Sequence, residues 1–560
     1  MSPLSLVARL VRGGISASSR SSTFEANRTK SPRRFFRPLR LVACTLALGP
    51  WSLGLLRSAE LNLSTATIAD LQSAMSAGAL TSEKLVSLYL ARIAAYDQQG
   101  PKLNTIITLN PRALDEARAL DAERKAGKLR GPLHGIVVLP KDVFDTKDIP
   151  TSGGFKPMAK SQPSRDSFVI ARLRAAGAII LGKLNQADWY AVMPAGASTL
   201  TGQVLSPYNL KKFTGYSSSG TGASMAAWFG TVGLGSDTGG SITIPSTLST
   251  LVGFATTHGL VSRTGMMWSS PSQENGGPMG RSVYDCAAVL DAIAGYDAAD
   301  LPTQESIGKL PDRPYTSFVS KDGLKGARVG VLREMFRTGP LHTEGNALAE
   351  QAIADFKKAG AVVVDPVLTG LNLIETQVDA GASRFEVATA INKYLAGLPA
   401  DAPIRTVDEM IAKAGDTTIK PNIVATNAAL KTAPLDRNPE FAAALKHQAT
   451  IRSALVGLME KYQLDAIILP FSTATVPEIP VKSYFTSDNR NNLSSYTGLP
   501  TIIVPGGFYP SDGMPFGIQF LGRPFTEPVL IKLASGYEAA THHRKPAPLT
   551  PPLPGETITY

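Results

Sequence analysis

Short apolar runs that alternate with helical patterns constrain the fold most strongly. Residues 134–139 and 178–181 are rich in Ile, Val and Leu, and Gly or Pro closes each run. Between them, residues 166–176 space their apolar side chains as a helix does. Similar β-rich runs recur at residues 466–469 and 501–504. Strands that alternate with helices share a sheet, so the sequence predicts an α/β fold whose buried sheet draws strands from both ends of the body.

Helices are predicted before the first strand and in the later half of the chain. A capped amphipathic run covers residues 81–93, and Pro111 opens a second run to about Lys125, since proline suits the first helical position. Residues 300–460 are mostly helical in pattern. The Pro-rich segment 541–560 is predicted to be loose.

The charge is concentrated at the N-terminus. The chain carries a net +11, and residues 1–60 supply +8 of it from ten Lys and Arg against two acids. A nearly neutral body with 43% hydrophobic and 18% charged residues is typical of a soluble globular protein, so no nucleic-acid partner is predicted. We therefore expect a basic leader at 1–60, one large body at 61–540 and a Pro-rich tail at 541–560.

The leader contains the apolar segment 41–56, which Pro50 interrupts and which is short for a membrane span of about 20 residues. Residues 31–37, with two adjacent arginines, resemble a twin-arginine export signal, and 41–44 resemble a lipoprotein box placed too early. We expect an exported (periplasmic or secreted) or membrane-attached protein. The alternative is a disordered, organelle-directed or mis-started N-terminus on a cytoplasmic protein.

Two cysteines limit the chemistry. Cys44 lies in the leader, which leaves Cys286 alone in the body, so neither a disulfide framework nor a thiolate metal cluster is predicted. Residues 282–290 read as a buried amphipathic helix, and we expect Cys286 to be an inert core residue.

Two loops dense in small residues, 215–222 and 233–242, carry the chemical signal. Loops of this kind cradle phosphates, link domains or expose backbone N–H groups beside a nucleophilic hydroxyl. Thr221 stands where a phosphate-binding loop needs its lysine, and apolar segments between the two loops argue against a linker. Nucleophile chemistry by a serine remains.

A nucleophilic serine needs a base. None of the six histidines has a recognisable triad context, and Gly-x-Ser-x-Gly is absent from both loops. Lys141 ends the apolar strand 136–140 and would be carried into the interior. Burial there would favour its uncharged amine, with a pKa lowered from about 10.4 toward 7.

These residues together resemble the amidase signature family. Gly-Tyr-Ser-Ser-Ser-Gly at 215–220 and Asp-Thr-Gly-Gly-Ser-Ile at 237–242 are similar to its paired Gly-Ser motifs, and Lys141 occupies the position of its strand-borne lysine. The resemblance extends from about Thr67 to Ala540. It implies one large α/β domain whose central mixed sheet is covered by helices on both faces, with neither metal nor cofactor.

The resemblance also implies a Ser–cis-Ser–Lys triad. Ser241 is then the nucleophile, Ser217 is the bridging serine after a cis peptide bond from Tyr216, and Lys141 is the base. Backbone N–H groups of the loop around Ser241 serve as the oxyanion donors, namely those of Thr238, Gly239, Gly240 and Ser241 itself. Ser218, Ser219 and Asp237 are expected to hold the loops by local hydrogen bonds.

Two departures from the family pattern and one closer similarity distinguish this chain within the family. Tyr216 replaces a glycine of the first loop, and Thr243 stands where many members, including the amidotransferase subunit, have arginine. The segment 242–281, especially 272–279, is more similar to the peptide-amidase-like branch. Alkyl, aryl and peptide amides all remain open.

We expect an amidase that hydrolyses a small-molecule or peptide-like amide through an acyl-enzyme on Ser241. Two alternatives remain. A glutamine-hydrolysing amidotransferase subunit would need a partner chain, and an ester hydrolase would use the same triad.

Overall fold

The computed structural model describes residues 60–482 and 489–560. Nearly all of the leader, including its apolar segment 41–56, lies outside these residues. Within the described part, no helix is both long enough and apolar enough to cross a membrane. The described residues all belong to one compact unit.

Strand formation follows the apolar runs. The strands are β1 Glu60–Asn62, β2 Ile106–Leu109, β3 Val137–Pro140, β4 Ile179–Ile180, β5 Gly182–Leu184, β6 Ala197–Ser198, β7 Gly202–Gln203, β8 Val232–Asp237, β9 Val252–Ala255, β10 Asn275–Gly280, β11 Arg328–Leu332, β12 Val362–Val367, β13 Ala466–Pro470, β14 Thr501–Phe508, β15 Pro515–Leu521 and β16 Thr557–Thr559. The four predicted runs correspond to β3, β4, β13 and β14.

Ten of these strands form the central sheet, in the order β12-β11-β13-β15-β14-β9-β10-β8-β3-β4. Pairing is parallel at both edges and antiparallel between β13 and β8, so the sheet is mixed, as the family resemblance implies. Every residue of β3, β8 and β13 is buried. Because successive side chains of a strand point to opposite faces, both faces are covered there.

The α-helices are α1 Ile68–Ser76, α2 Ser82–Arg92, α3 Ala113–Lys125, α4 Phe168–Ala175, α5 Ser219–Ala226, α6 Thr243–Thr247, α7 Val283–Ile293, α8 Thr343–Lys358, α9 Leu373–Asp379, α10 Ser383–Ala396, α11 Val407–Ala412, α12 Pro421–Leu430, α13 Pro439–Lys461, α14 Leu493–Thr497 and α15 Glu527–Thr541.

The helix predictions are confirmed with small shifts. The hydroxyl of Thr81 accepts from Lys84 N and caps α2. Pro111 does not start its helix, because α3 begins two residues later with Arg112 as N-cap. Region 300–460 contains the expected helices and also β11 and β12 of the sheet edge.

The prediction of a loose tail is wrong. Strand β16 pairs with β1, and the tail buries Glu556 against Arg92, whose side chain is fully buried on α2. The Arg92 guanidinium also stacks on the Trp228 ring, with 3.8 Å between its carbon and the ring centroid. A charge-assisted pair and packed aromatic surface thus hold a segment that its proline content alone would leave free.

Candidate active site

Lys141 follows the last residue of β3, and the strand carries it into the interior. Its side chain is fully buried. The amine lies 2.7 Å from Ser217 Oγ and 2.9 Å from Ser236 Oγ, within hydrogen-bond distance of both. Burial lowers the pKa of Lys141 to about 7, against the raising effect of the Glu274 and Asp237 carboxylates, and the Lys420 ammonium lowers it further. The amine is therefore available as a base near neutral pH.

Ser217 lies in the loop before α5. Close packing shapes this loop, because Gly215 has φ 127° and a Cβ there would approach Pro245 to 2.6 Å. A Cβ at Gly220 would meet the Asn185 carbonyl oxygen at 2.0 Å, so the start of α5 also requires glycine.

The peptide bond before Ser217 differs from the expectation. The cis bonds of the described residues are Asp365–Pro366 and Ile479–Pro480, so the Tyr216–Ser217 bond is trans. The trans form is the lower-energy one for a non-proline residue, by about 3 kcal/mol. Ser217 nevertheless reaches Lys141 in this conformation.

Ser241 sits between β8 and α6 and is 5% exposed. The Asp237 carboxylate forms the turn that presents it, accepting from Gly240 N at 2.6 Å and Ile242 N at 2.8 Å. The expected loop-holding roles are found for Asp237 and for Ser218, whose hydroxyl donates to Ser236 O at 3.3 Å.

The same turn changes the expected set of oxyanion donors. Because the N–H groups of Gly240 and Ile242 donate to the Asp237 carboxylate, they are not directed at a substrate. An anionic oxygen inside the protein attracts these donors more strongly than a neutral carbonyl would. Thr238 and Gly239 line the cavity, and their N–H groups have no acceptor in the part of the chain that the structure describes.

Two side-chain amides hold the Thr238–Gly239 segment by its backbone carbonyls. Gln273 Nε2 donates to Thr238 O at 2.7 Å, and Asn492 Nδ2 donates to Gly239 O at 2.8 Å. With these carbonyls turned away, the neighbouring N–H groups stay free for a ligand.

Glu274 is a buried acid beside the same segment. Its carboxylate accepts from the Thr238 hydroxyl and from Ser269 N, and its Oε1 is buried without a partner among the described residues. Burial raises the pKa of Glu274 to about 7, while the Thr238 hydroxyl and the Lys141 charge oppose that rise.

Ser217 and Ser241 line one cavity of about 370 Å³. No hydrogen bond joins their hydroxyls within the described ranges; such bonds often tighten only when substrate binds. The later half of the chain also lines this cavity, with Ser383, Lys420, Asn422, Arg490 and Asn492. The cavity therefore combines two serine hydroxyls with free backbone donors, and the buried Lys141 amine contacts one of those serines, Ser217.

Sequence reasoning missed Ser236 and Glu274. Ser236 could have been found from strand register, since Pro140 pairs with Leu234 and places Lys141 beside the end of β8. Glu274 is the sole acid between Asp237 and Asp285 in the sequence, which is a weak signal by itself.

Other candidate chemistry lies away from this cavity. Cys286 is fully buried on α7, as predicted, and burial raises its thiol pKa. Residues 60–482 and 489–560 contain no group of three or more His, Cys, Asp or Glu placed to hold a metal ion.

Comparison with known proteins agrees with this geometry. A family model described as Amidase matches residues 84–531. A probable amidase of Arabidopsis thaliana is 32% identical over 505 residues, covering 87% of this chain and 92% of its own. A glutamyl-tRNA(Gln) amidotransferase subunit of Moorella thermoacetica is 31% identical, covering 86% of this chain and 98% of its own.

Solved structures give the same result. The native peptide amidase of Stenotrophomonas maltophilia is 35% identical, with a TM-score of 0.76 and coverage of 86% of this chain and 98% of its own. The chain therefore belongs to the amidase signature family, and it is a hydrolase that acts on amide carbon–nitrogen bonds.

Proposed function

We propose that the protein hydrolyses a linear amide through a covalent acyl-enzyme on Ser241 and releases a carboxylic acid and ammonia or an amine. The observation that carries this proposal is the buried Lys141 amine, 2.7 Å from Ser217 Oγ at the wall of the cavity that contains Ser241.

Each proton transfer can be followed in the proposed reaction. Ser241 Oγ attacks the amide carbon, its proton moves to Ser217, and the Ser217 proton moves to neutral Lys141. The N–H groups of Thr238 and Gly239 donate to the oxyanion. The C–N bond then breaks, and the relay returns the proton to the leaving nitrogen. Water, deprotonated by the same relay, hydrolyses the ester and restores Ser241.

Labelling with a fluorophosphonate tests the nucleophile. The wild type should be labelled on Ser241 and should hydrolyse members of an amide panel, whereas Ser241→Ala should lose both labelling and turnover. Lys141→Ala should keep a folded protein and lose most of the labelling rate. Turnover of amides by Ser241→Ala at the wild-type rate would contradict the mechanism.

A peptide-like amide is the substrate class we favour within this chemistry. The 35% identity to a peptide amidase supports it, as does the polar wall of the cavity. Hydrolysis of C-terminal peptide amides, measured against alkyl and aryl amides of equal size, tests the preference.

Two other functions use the same site. The amidotransferase relatives favour a glutamine-hydrolysing subunit, while Thr243 in place of the usual arginine weighs against it. That function predicts strict dependence on glutamine and on a partner chain. An ester hydrolase would cleave esters faster than the matched amides.

We also propose that the basic leader directs export or membrane attachment. The apolar segment 41–56 behind the arginine-rich stretch supports it. Fractionation of cells that express the full chain, compared with a chain lacking residues 1–59, tests this proposal.

A further inference from the structure

The catalytic cavity carries more positive than negative charge. Of the described residues that line it, two are cationic, Lys420 and Arg490, and one carries a carboxylate, Asp188. Both cations come from the later half of the chain and line the same cavity as Ser217 and Ser241.

The Asp188 carboxylate is already occupied. Its Oδ1 accepts from Tyr190 N and Ala191 N, both at 2.9 Å, and its Oδ2 accepts from Thr199 N and the Thr199 hydroxyl. The side chain is 2% exposed. It is therefore committed to the local turn and offers little to a ligand.

Lys420 is held in place by two hydrogen bonds, which leave one of its N–H groups for a ligand. Its ammonium donates to the carbonyl oxygens of Asp188 and Trp189. An ammonium has three N–H groups, so one remains for the cavity. Burial lowers the pKa of Lys420 to about 8, and the Asp188 charge opposes this, so most of the population is cationic at neutral pH.

Arg490 supplies the second charge. It is half-buried and lines the cavity. No carboxylate of residues 60–482 or 489–560 forms an ion pair with its guanidinium. A planar group with several N–H donors is well suited to a carboxylate.

We infer that the amide substrate carries a carboxylate on its acyl part, which Lys420 and Arg490 bind while Ser241 attacks the amide. The inference rests on the proposed function. It narrows the substrate to anionic amides, such as the α-amide of an acidic residue. Among the described residues that line the cavity, the two cations face no uncommitted carboxylate, and such a ligand would complement their charge.

Three amides that differ mainly in side-chain charge test the inference: the α-amides of N-acetylglutamate, N-acetylmethionine and N-acetyllysine. The expected order of kcat/KM is Glu over Met over Lys, with at least about a tenfold gap between the first two. Added salt should raise KM for the anionic amide more than for the neutral one, because ions screen the attraction.

Variants locate the recognition. Lys420→Met and Arg490→Met should each lower the ratio of kcat/KM for the glutamate amide to that for the methionine amide. The ratio is the readout because Lys420 also lowers the Lys141 pKa and so affects all substrates. Lys431→Met is the matched control. Lys420 and Lys431 cap opposite ends of α12, and Lys431 forms an exposed ion pair, so its replacement should leave the ratio unchanged.

The outcomes separate the two proposals. Equal rates on all three amides, or a preference for the neutral or cationic one, would overturn the inference while leaving the amidase function intact. The inference would also be overturned if other amides are hydrolysed and the α-amide of N-acetylglutamate is not. If no amide is hydrolysed and fluorophosphonate does not label Ser241, the proposed function itself fails.

Discussion

Lys141 can act as a base only when its amine is uncharged, and burial at the end of β3 supplies that condition. A solvated lysine stays protonated at neutral pH. The neighbouring carboxylates of Glu274 and Asp237 limit the shift, so the pKa falls to about 7 and no further. At the scale of single residues, the proposed activity would therefore depend on a balance between desolvation of Lys141 and two nearby acids.

The pH dependence of kcat/KM should report this balance. Because the neutral amine is the active form and the pKa of Lys141 is about 7, kcat/KM should rise with pH through about 7 and level off above it. Below that midpoint it should fall about tenfold per pH unit. Initial rates on an uncharged amide from acidic to basic pH give the measurement. A rate independent of pH across this range would contradict Lys141 as the base.

Glu274→Gln should shift the pH dependence of kcat/KM. The Glu274 carboxylate raises the pKa of Lys141, so its removal should shift the acidic limb to lower pH. Glutamine keeps an oxygen that can accept from the Thr238 hydroxyl, so the substitution removes the charge of Glu274 and preserves its packing and this hydrogen bond. A lower rate with an unmoved midpoint would indicate a purely structural role. The melting temperature serves as the check on folding.

Candidate site residues could be predicted from the sequence where they stand in an unusual local context. Lys141, Ser217 and Ser241 stood out as a lysine after an apolar strand and two serines in glycine-rich loops. Ser236 and Glu274 are ordinary in sequence, and their importance comes from partners that lie far along the chain. The occupied N–H of Gly240 depends on the direction of one carboxylate, which composition does not reveal.

At the scale of elements, the tail shows how a few contacts can outweigh composition. Its prolines predict a loose segment, yet Glu556 meets Arg92 inside the protein and β16 pairs with β1. The side chains of this ion pair are 2% and 0% exposed. The segment is ordered because a buried charge requires its partner.

Glu556→Ala should destabilise the fold strongly. It leaves the Arg92 guanidinium buried without its carboxylate, which costs about 3–5 kcal/mol in unfolding free energy. Asp408→Ala is the control, since its pair with Lys431 is 59% and 60% exposed and is worth about 1 kcal/mol or less. Denaturant unfolding of both variants gives the comparison. Equal effects would show that the buried pair is not what anchors the tail.

At the scale of the whole molecule, the site is built from two halves of the chain. Strands β3, β8, β9 and β10 come from the first half of the chain. They join the strands of the second half where β9 pairs with β14 inside the sheet. The proposed triad belongs to the first half, whereas Lys420, Arg490 and Asn492 belong to the second. In the proposed mechanism, substrate specificity and chemistry would therefore come from distant stretches of sequence.

Asn492→Ala tests the contact between the halves. Loss of its bond to Gly239 O should loosen the oxyanion segment and lower kcat by about 10- to 100-fold. Asn346→Ala removes a similar 2.8 Å bond, from an Asn amide to the Arg337 carbonyl away from the cavity, and should leave kcat near the wild-type value. Equal kcat values for the two variants would argue against this role of Asn492. Melting curves check that both proteins fold.

The sequence alone determined the α/β class, the positions of several strands and helices, and the residues that can perform amide chemistry. Those features depend on local periodicity and on motifs that are short in sequence. The tertiary structure decided the burial of Lys141, the donors left free for an oxyanion, the order of the tail and the cationic residues of the cavity. Each of these depends on burial and on contacts between residues far apart in the chain, because desolvation and hydrogen-bond direction exist only once the chain is packed.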